Sequence, residues 1–348
     1  LTPTTPDESK LSTAIQQNKF KLQNGEEAYA DSDTVRAIVI FEGEGAVPAA
    51  LKSTGVATQR AVAAASKTLT AQHSRIKTAI QSKAVSYDVK YEYTTLLNGM
   101  SADVKFGDLE KLASTAGVKE VYLANYYDEP VVMPSMDSAN DMTNITKVRD
   151  KDTGKGTVIA VIDTGITPGH EAFTAYDSML NKAAISKEQA EAAIEKLGRG
   201  KYLSAKVPFS YDYYDKDNDA NDDVSGHGTH VSGIAAGCVL SDDGGYEFAG
   251  SAPGAQILAL KVFSSDPAER GTSSDVYLAA LEDAYTLGAD VINMSLGAQN
   301  GFVYDGIEEK VLNGIFTTLD DAGVICCIAA GNEGSMAAGE SITGVPAG

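Results

Sequence analysis

Two histidines, His227 and His230, stand three residues apart in the glycine-rich run "VSGHGTHVSGIAAG" at residues 224–237, and the whole chain holds only four histidines. A further residue that could take part in chemistry is Asp163, which ends the apolar run "GTVIAVID". A histidine among glycines has three plausible uses. It can bind a metal ion, lie beside a phosphate that glycine N–H groups hold, or act as a general base.

Metal binding and phosphate binding both fit this run poorly. A zinc peptidase of the His-Glu-x-x-His type needs a spacing of four and a glutamate after the first histidine, whereas Gly228 follows His227. The glycines match neither the dinucleotide-binding pattern nor the Walker pattern, and the preceding run "DKDNDANDD" would repel a phosphate. These histidines therefore predict no metal site and no phosphate cradle.

Nucleophilic catalysis fits the run better. A hydroxyl nucleophile needs a base within hydrogen-bond reach, and that base needs a third group that holds it in one tautomer. Asp163 at a strand end could hold His227, and the small neighbours of His227 would let a substrate backbone approach. On these residues alone, a structural Asp–His pair in which each side chain merely satisfies the other is an equal alternative.

The second half of the chain predicts the elements that would position this pair. Apolar runs typical of buried parallel strands lie at 156–165, 255–263, 289–297 and 323–331. Helical periodicity follows at 273–287 and 305–322. Because sites form at the carboxyl ends of parallel strands, Asp163, Ser295 and Asn332 should lie at one edge of the sheet.

The first half predicts a smaller domain of a different class. Residues 1–34 are a polar lead-in without sustained periodicity, and strands are predicted at 35–43, 101–106 and 119–126. Helices are predicted at 56–84 and 107–118. We therefore expect an α+β domain at 35–130, with two helices on an antiparallel sheet, then a linker and maturation region at 131–154 and an α/β domain from 155 to 348.

Five blocks in the second half resemble a known family. They are "VIDTGI" at 161–166, "GHGTHVSGIAAG" at 226–237, "SAPGAQILALKVF" at 251–263, "VINMSLG" at 291–297 and "IAAGNEG" at 328–334. In this order they resemble the subtilisin-type serine peptidases and cover most of residues 155–335. The resemblance implies a parallel-sheet α/β catalytic domain, here its N-terminal part, that hydrolyses peptide bonds of a polypeptide substrate and requires no cofactor.

The resemblance also implies a role for individual residues. Asp163 corresponds to the acid that orients the base, His227 to the general base and Asn332 to the side-chain donor of the oxyanion hole. His230 corresponds to a second histidine that is structural in the family. The substrate-binding residues implied by the resemblance are Ser295, Leu296, Gly297, Ala329, Ala330 and Gly331.

The nucleophile of the family is absent from residues 1–348. It lies in a Gly-Thr-Ser-Met-Ala block, and Ser335 and Ser341, which follow Asn332, lack that context. We expect the serine on a separate C-terminal piece of a nicked enzyme, or on a part of the protein that this sequence omits. The alternative is a serine-less pseudoprotease that acts as a binding or inhibitor module.

The resemblance extends to the first domain and to a branch of the family. Residues 35–130 are similar to the ferredoxin-like inhibitory propeptide, which binds its own catalytic domain, with a maturation cut expected near 127–140. The long interval between Asp163 and His227 resembles that of the cell-envelope proteinases, such as lactocepin and the C5a-peptidase-like enzymes. This branch implies a secreted or cell-surface location.

Charge and hydropathy restrict the partners. The net charge of −20 makes nucleic acids and anionic membranes unfavourable partners, and no apolar run reaches the ~18 residues that span a bilayer. A cluster of aspartates in the run before His227 could bind a structural calcium ion through oxygen ligands, although a solvated acidic loop is favoured. The cluster consists of Asp215, Asp217, Asp219, Asp222 and Asp223.

Overall fold

The structure is a computed structural model that describes residues 29–129, 143–149, 151–174, 183–243, 245–296 and 307–329. The chain divides into two compact units. The first contains residues 1–125 with 303–322, and the second contains 126–302 with 323–348. The domain boundaries expected at 34, 130 and 154 stay predictions.

The first unit is built on a four-stranded sheet in the order β2-β3-β1-β4, with antiparallel pairing throughout. Its elements are β1 (Thr34–Phe41), α1 (Ala46–Thr54), α2 (Gln59–Ser82), β2 (Tyr87–Tyr93), β3 (Gly99–Lys105), α3 (Leu109–Ala113) and β4 (Val118–Leu123). The inner strand β1 is nearly continuous in apolar residues and is buried from Ala37 to Phe41, as a strand with neighbours on both sides requires.

The antiparallel sheet and the long helix α2 match the sequence-based expectation, but two elements were not predicted. The expected count of two helices is wrong, because α1 is a third helix and ends at Gly55, whose φ of 72° suits a left-handed cap. The strand β2 was also missed. Its sequence "YDVKYEY" alternates apolar and charged residues in the way typical of a strand at the edge of a sheet.

The second unit is built on a five-stranded parallel sheet in the order β13-β12-β6-β10-β7. Its elements are β5 (Tyr126–Asp128), α4 (Ile145–Arg149), β6 (Val158–Asp163), α5 (Lys187–Leu197), β7 (Phe209–Asp212), α6 (His227–Ala236), β8 (Cys238–Leu240), β9 (Tyr246–Ala249), β10 (Gln256–Lys261), β11 (Gly271–Ser273), α7 (Ser274–Thr286), β12 (Val291–Met294) and β13 (Ile325–Ile328). Helix α8 (Ile307–Asp321) precedes β13 in the chain and groups with the first unit.

The parallel sheet confirms the predicted α/β class. Every residue of β6 and of β10 is buried, which explains why both strands are apolar over most of their length. The strand β7 was not predicted because it has only four residues, "FSYD", and no clear period. Within the described part of the chain, no helix is both long enough and apolar enough to cross a membrane.

Candidate active site

Asp163 is the last residue of the central strand β6, and its side chain is fully buried. The strand pairs with β10 so that Asp163 lies opposite Lys261, at the carboxyl end of the sheet. One carboxylate oxygen, Oδ1, accepts the backbone N–H of Thr164 at 2.7 Å. The other oxygen, Oδ2, is buried and has no hydrogen-bond partner among the described residues. Burial therefore raises the pKa of Asp163, against the opposing effect of its hydrogen bonds.

His227 is the first residue of α6, and glycines explain how it reaches Asp163. Gly226, immediately before the helix, has a φ of 77°, which an L side chain rarely adopts. A Cβ on Gly228 would lie 2.3 Å from the carbonyl oxygen of Gly165, so only glycine lets the helix pack this closely on the turn after β6. The glycines that first raised the question of a phosphate site thus serve a close approach of two backbones.

The structure joins the two predicted residues directly. His227 Nδ1 lies 2.7 Å from Asp163 Oδ1, which makes Nδ1 the donor and leaves Nε2 as the acceptor of the ring. Burial lowers the pKa of His227, but the hydrogen bond to Asp163 and its charge raise it more, so the net shift is upward from 6.5. No hydrogen bond from a described residue reaches Nε2, so a proton can be taken up there.

Asp222 fixes the relative position of the strand end and the helix. Its Oδ1 accepts the Thr164 hydroxyl at 2.9 Å and the Gly226 N–H at 3.0 Å. Its Oδ2 accepts both the N–H and the hydroxyl of Thr229, each at 2.9 Å. The Thr164 hydroxyl in turn accepts the N–H of Gly228 at 2.8 Å. One buried carboxylate therefore holds the residue after Asp163 and the first turn of α6 together.

Sequence reasoning missed this role of Asp222 and counted it only among the loop aspartates. Three other carboxylates of the loop accept backbone N–H groups of the loop or of a neighbouring turn: Asp217 from Asp219, Asp219 from Asn221 and Asp215 from Ser265. Among the described residues, no group of three or more His, Cys, Asp or Glu side chains could hold a metal ion. A structural calcium ion stays a prediction.

The predicted substrate-binding residues fall partly within the described residues. Ser295 and Leu296 directly follow β12, and Asn293 donates its side-chain amide to the Ser295 hydroxyl at 2.9 Å. Ala329 follows β13, and its N–H donates to the carbonyl of Met294 at 3.1 Å. Both segments thus continue from neighbouring strands at the carboxyl end of the sheet. Gly297, Ala330, Gly331 and Asn332 lie outside the described residues.

A short antiparallel ladder adjoins this site and was not predicted. The strand β5 pairs with β11 in the register Tyr126↔Ser273, Tyr127↔Thr272 and Asp128↔Gly271. Glu129 continues the ladder by donating its N–H to the carbonyl of Arg270 at 3.0 Å. We call residues 126–129 the tail strand, because they end the segment that the sequence assigned to a propeptide. Glu129 also lines a small cavity together with Thr164, Asp222 and Ser225.

The sequence profile of the subtilase family (peptidase S8) matches residues 154–348. The chain belongs to the subtilase family. Membership confirms the resemblance inferred from the five blocks, and the region matched contains Asp163, His227 and Asp222. The subtilase family is one of subtilisin-like serine proteases.

Curated relatives point to the predicted branch. The chain is 35% identical over 247 residues to the PI-type proteinase of Lactococcus lactis subsp. cremoris, an alignment that covers 70% of this chain and 12% of the relative. It is 34% identical over 203 residues to a C5a peptidase of Streptococcus pyogenes, which covers 57% of this chain and 17% of the relative. The chain therefore spans less than a fifth of the length of these relatives.

A solved structure shares the fold. Fervidolysin from Fervidobacterium pennivorans, a keratinolytic enzyme related to subtilisin, matches 90% of this chain and 41% of its own with a TM-score of 0.52 and 16% sequence identity. At that identity the likeness speaks for the fold alone.

Proposed function

We propose that this protein is a serine endopeptidase in which Asp163 and His227 form the acid and base of a catalytic triad. The observation that carries the proposal is the 2.7 Å hydrogen bond from His227 Nδ1 to a buried carboxylate at the carboxyl end of the sheet. This bond leaves Nε2 able to accept a proton. Asp222 supports the same assignment, because it limits movement of the strand end relative to the helix.

The reaction follows from this geometry as an acyl transfer. A serine hydroxyl gives its proton to His227 Nε2 while its oxygen attacks the peptide carbonyl carbon. The charge of Asp163 stabilises the imidazolium that forms. His227 then gives the proton to the leaving amine, and a water molecule, activated in the same way, hydrolyses the acyl-enzyme. Asn332 is proposed to donate its side-chain amide to the oxyanion.

The nucleophile is proposed to lie outside residues 1–348. No Gly-Thr-Ser-Met-Ala block occurs in the sequence, and the chain spans only 12% of the PI-type proteinase to which it is similar. The segments Ser295–Gly297 and Ala329–Gly331 are proposed to bind the substrate backbone and the side chain next to the scissile bond. The similarity to cell-envelope proteinases supports a secreted or cell-surface location.

Residues 35–130 are proposed to act as an inhibitory propeptide. The tail strand supports this role, because it ends that segment and already adds a strand to β11 beside the candidate site. An extended chain held in this way would compete with a substrate for the same edge. Maturation would then require a cut after the tail strand.

Labelling of the full-length protein with a fluorophosphonate tests the proposal. Intact-mass analysis should find one serine adduct on a segment beyond residue 348, and Asp163→Ala and His227→Ala should each abolish both labelling and peptide hydrolysis. Hydrolysis that persists undiminished in both variants would refute the triad. A correctly folded full-length protein without adduct or hydrolysis would instead support the pseudoprotease alternative.

A further inference from the structure

The tail strand is held by two features that differ in specificity. Its backbone pairs with β11, an interaction that any extended polypeptide can make. Its side chains add specific contacts, since Tyr127 is 2% exposed and its ring centroid lies 5.8 Å from that of Tyr277. The buried tyrosine fixes the register of the strand, so Glu129 is placed at a defined position two residues further on.

The side chain of Glu129 is recognised by a single arginine. Arg270 binds both carboxylate oxygens, with Nε 2.7 Å from Oε2 and Nη2 2.9 Å from Oε1. The glutamate side chain is 4% exposed, whereas that of Arg270 is 48% exposed. The guanidinium is planar and carries parallel donors, so it fits a carboxylate in a way that a lysine or an amide partner cannot reproduce.

Arg270 recognises the backbone and the side chain of the same residue. Its carbonyl accepts the N–H of Glu129, while its guanidinium binds the carboxylate. Glu129 lies in the wall of the cavity that Thr164 and Ser225 also line, close to the candidate base. Its negative charge adds a minor part to the rise in the pKa of His227, after the larger effects of Asp163 and Asp222.

The surroundings make this position unfavourable for a carboxylate that lacks a cation. Asp222 lines the same cavity, and the chain as a whole carries a net charge of −20. The nearby Lys261 binds the buried Asp212 at 2.9 Å and the Ser265 hydroxyl. The bidentate pair with Arg270 is therefore the contact that compensates the charge of Glu129.

We propose that Arg270 is a specificity-determining residue that selects polypeptides with an acidic side chain at the position where Glu129 lies. The inference rests on the proposed peptidase function and names a substrate class for it. When the tail strand leaves, β11 again offers an unpaired edge, and the half-exposed guanidinium remains at its end. A substrate strand that pairs with β11 in the same register would place its own side chain there.

Quenched fluorescent peptides test this selection on the full-length protein. The first peptide copies residues 125–133, "NYYDEPVVM", and two others carry Gln or Lys in place of the glutamate. We expect kcat/KM to be about 10-fold higher for the Glu peptide than for the Gln peptide, because loss of the charge leaves a specific donor pair unsatisfied. The Arg270→Gln variant should bring this ratio close to one, and Arg270→Glu should prefer the Lys peptide.

Arg75→Gln is the matched control, because it makes the same change of side chain at an exposed position on α2, a helix of the first unit. This variant should keep the native ratio of kcat/KM between the Glu peptide and the Gln peptide. A ratio near one in the native protein, or an unchanged ratio in Arg270→Gln, would overturn the proposal.

Failure of the peptidase function is distinguishable from failure of this proposal. If no peptide is hydrolysed, fluorescence anisotropy of the same labelled peptides measures their dissociation constants instead, and the peptidase function fails only if the fluorophosphonate adduct is absent as well. A preference of about 10-fold for the Glu peptide that Arg270→Gln removes would still support selection by Arg270. Equal dissociation constants would overturn it.

Discussion

The substitution Asp163→Asn tests how the candidate site stabilises charge. Both hydrogen bonds to Asp163, from Thr164 N–H and from His227 Nδ1, go to the same oxygen, Oδ1. An asparagine can place its carbonyl oxygen there and its amide at the position of Oδ2, so the tautomer of His227 should be kept. The substitution therefore removes mainly the negative charge, and not the orientation of the ring.

The expected loss in kcat follows from the distance between His227 Nδ1 and Asp163 Oδ1. With an effective dielectric constant of about 20, two unit charges 2.7 Å apart attract by about 6 kcal/mol. The neutral hydrogen bond that remains keeps about 1 to 2 kcal/mol of this. The difference, about 4 kcal/mol of transition-state stabilisation, corresponds to about a 10³-fold lower kcat.

The assay is the rate of peptide hydrolysis by the full-length protein as a function of pH. In the native protein the pKa of His227 is raised above 6.5, so kcat/KM should fall on the acid side with a midpoint above that value. Without the charge of Asp163 the imidazolium is less stable, and the midpoint should move to lower pH. Asp320→Asn, an exposed change on α8, is the matched control and should alter neither quantity. A loss of less than 10-fold, or an unmoved midpoint, would refute the electrostatic role.

Three further predictions concern other residues. Asp222→Asn replaces one acceptor oxygen by an amide donor that faces the N–H of Thr229. We expect kcat to fall at least 10-fold and the free energy of unfolding to fall by about 2 kcal/mol. An unchanged kcat would contradict the positioning role of Asp222. Asn332→Ala should lower kcat about 10²-fold with little change in KM, because the proposed donor binds the oxyanion of the transition state and not the ground state; a change in KM alone would argue against that role. Glu92 has a pKa lowered to about 2, chiefly by its hydrogen bond with His73, so its contribution to stability is full above pH 4.5 and is lost as pH falls toward 2. Because its side chain is 36% exposed, we expect about 1 to 2 kcal/mol, measured by denaturant unfolding from pH 6 to pH 2, and a Glu92→Gln variant with an undiminished pH dependence would contradict this.

The position of Asp163 at the end of a strand could be predicted from local sequence. An unbroken apolar run predicts a strand that is buried on both faces, and the first polar residue after it must then lie at the end of the sheet. This placed Asp163 correctly at the end of β6. His227 begins α6, where Gly226 has a φ of 77° and Gly228 packs closely on Gly165, two features that glycine allows.

Contacts between distant segments could not be predicted in this way. Glu129 and Arg270 are 141 residues apart, and neither the short β5 nor the short β11 has a period that names its partner. The role of Asp222 could not be predicted either, because in the sequence it is one of several aspartates in an acidic loop and nothing local distinguishes it. Asp222 can bind both Thr164 and Thr229 because the end of β6 and the start of α6 meet beside it in the folded protein.

The sequence by itself determined the family and the apolar strands β6, β10, β12 and β13, because hydrophobic runs and turn residues act over a few neighbours and each of the five blocks is contiguous. Tertiary structure decided the distances between side chains that are far apart in the sequence and that must form hydrogen bonds in the candidate site. It set the 2.7 Å contact between Asp163 and His227, the four hydrogen bonds of Asp222 and the pairing of the tail strand with β11. A hydrogen bond forms only over a few tenths of an ångström, and the packing of whole strands and helices is what sets distances on that scale.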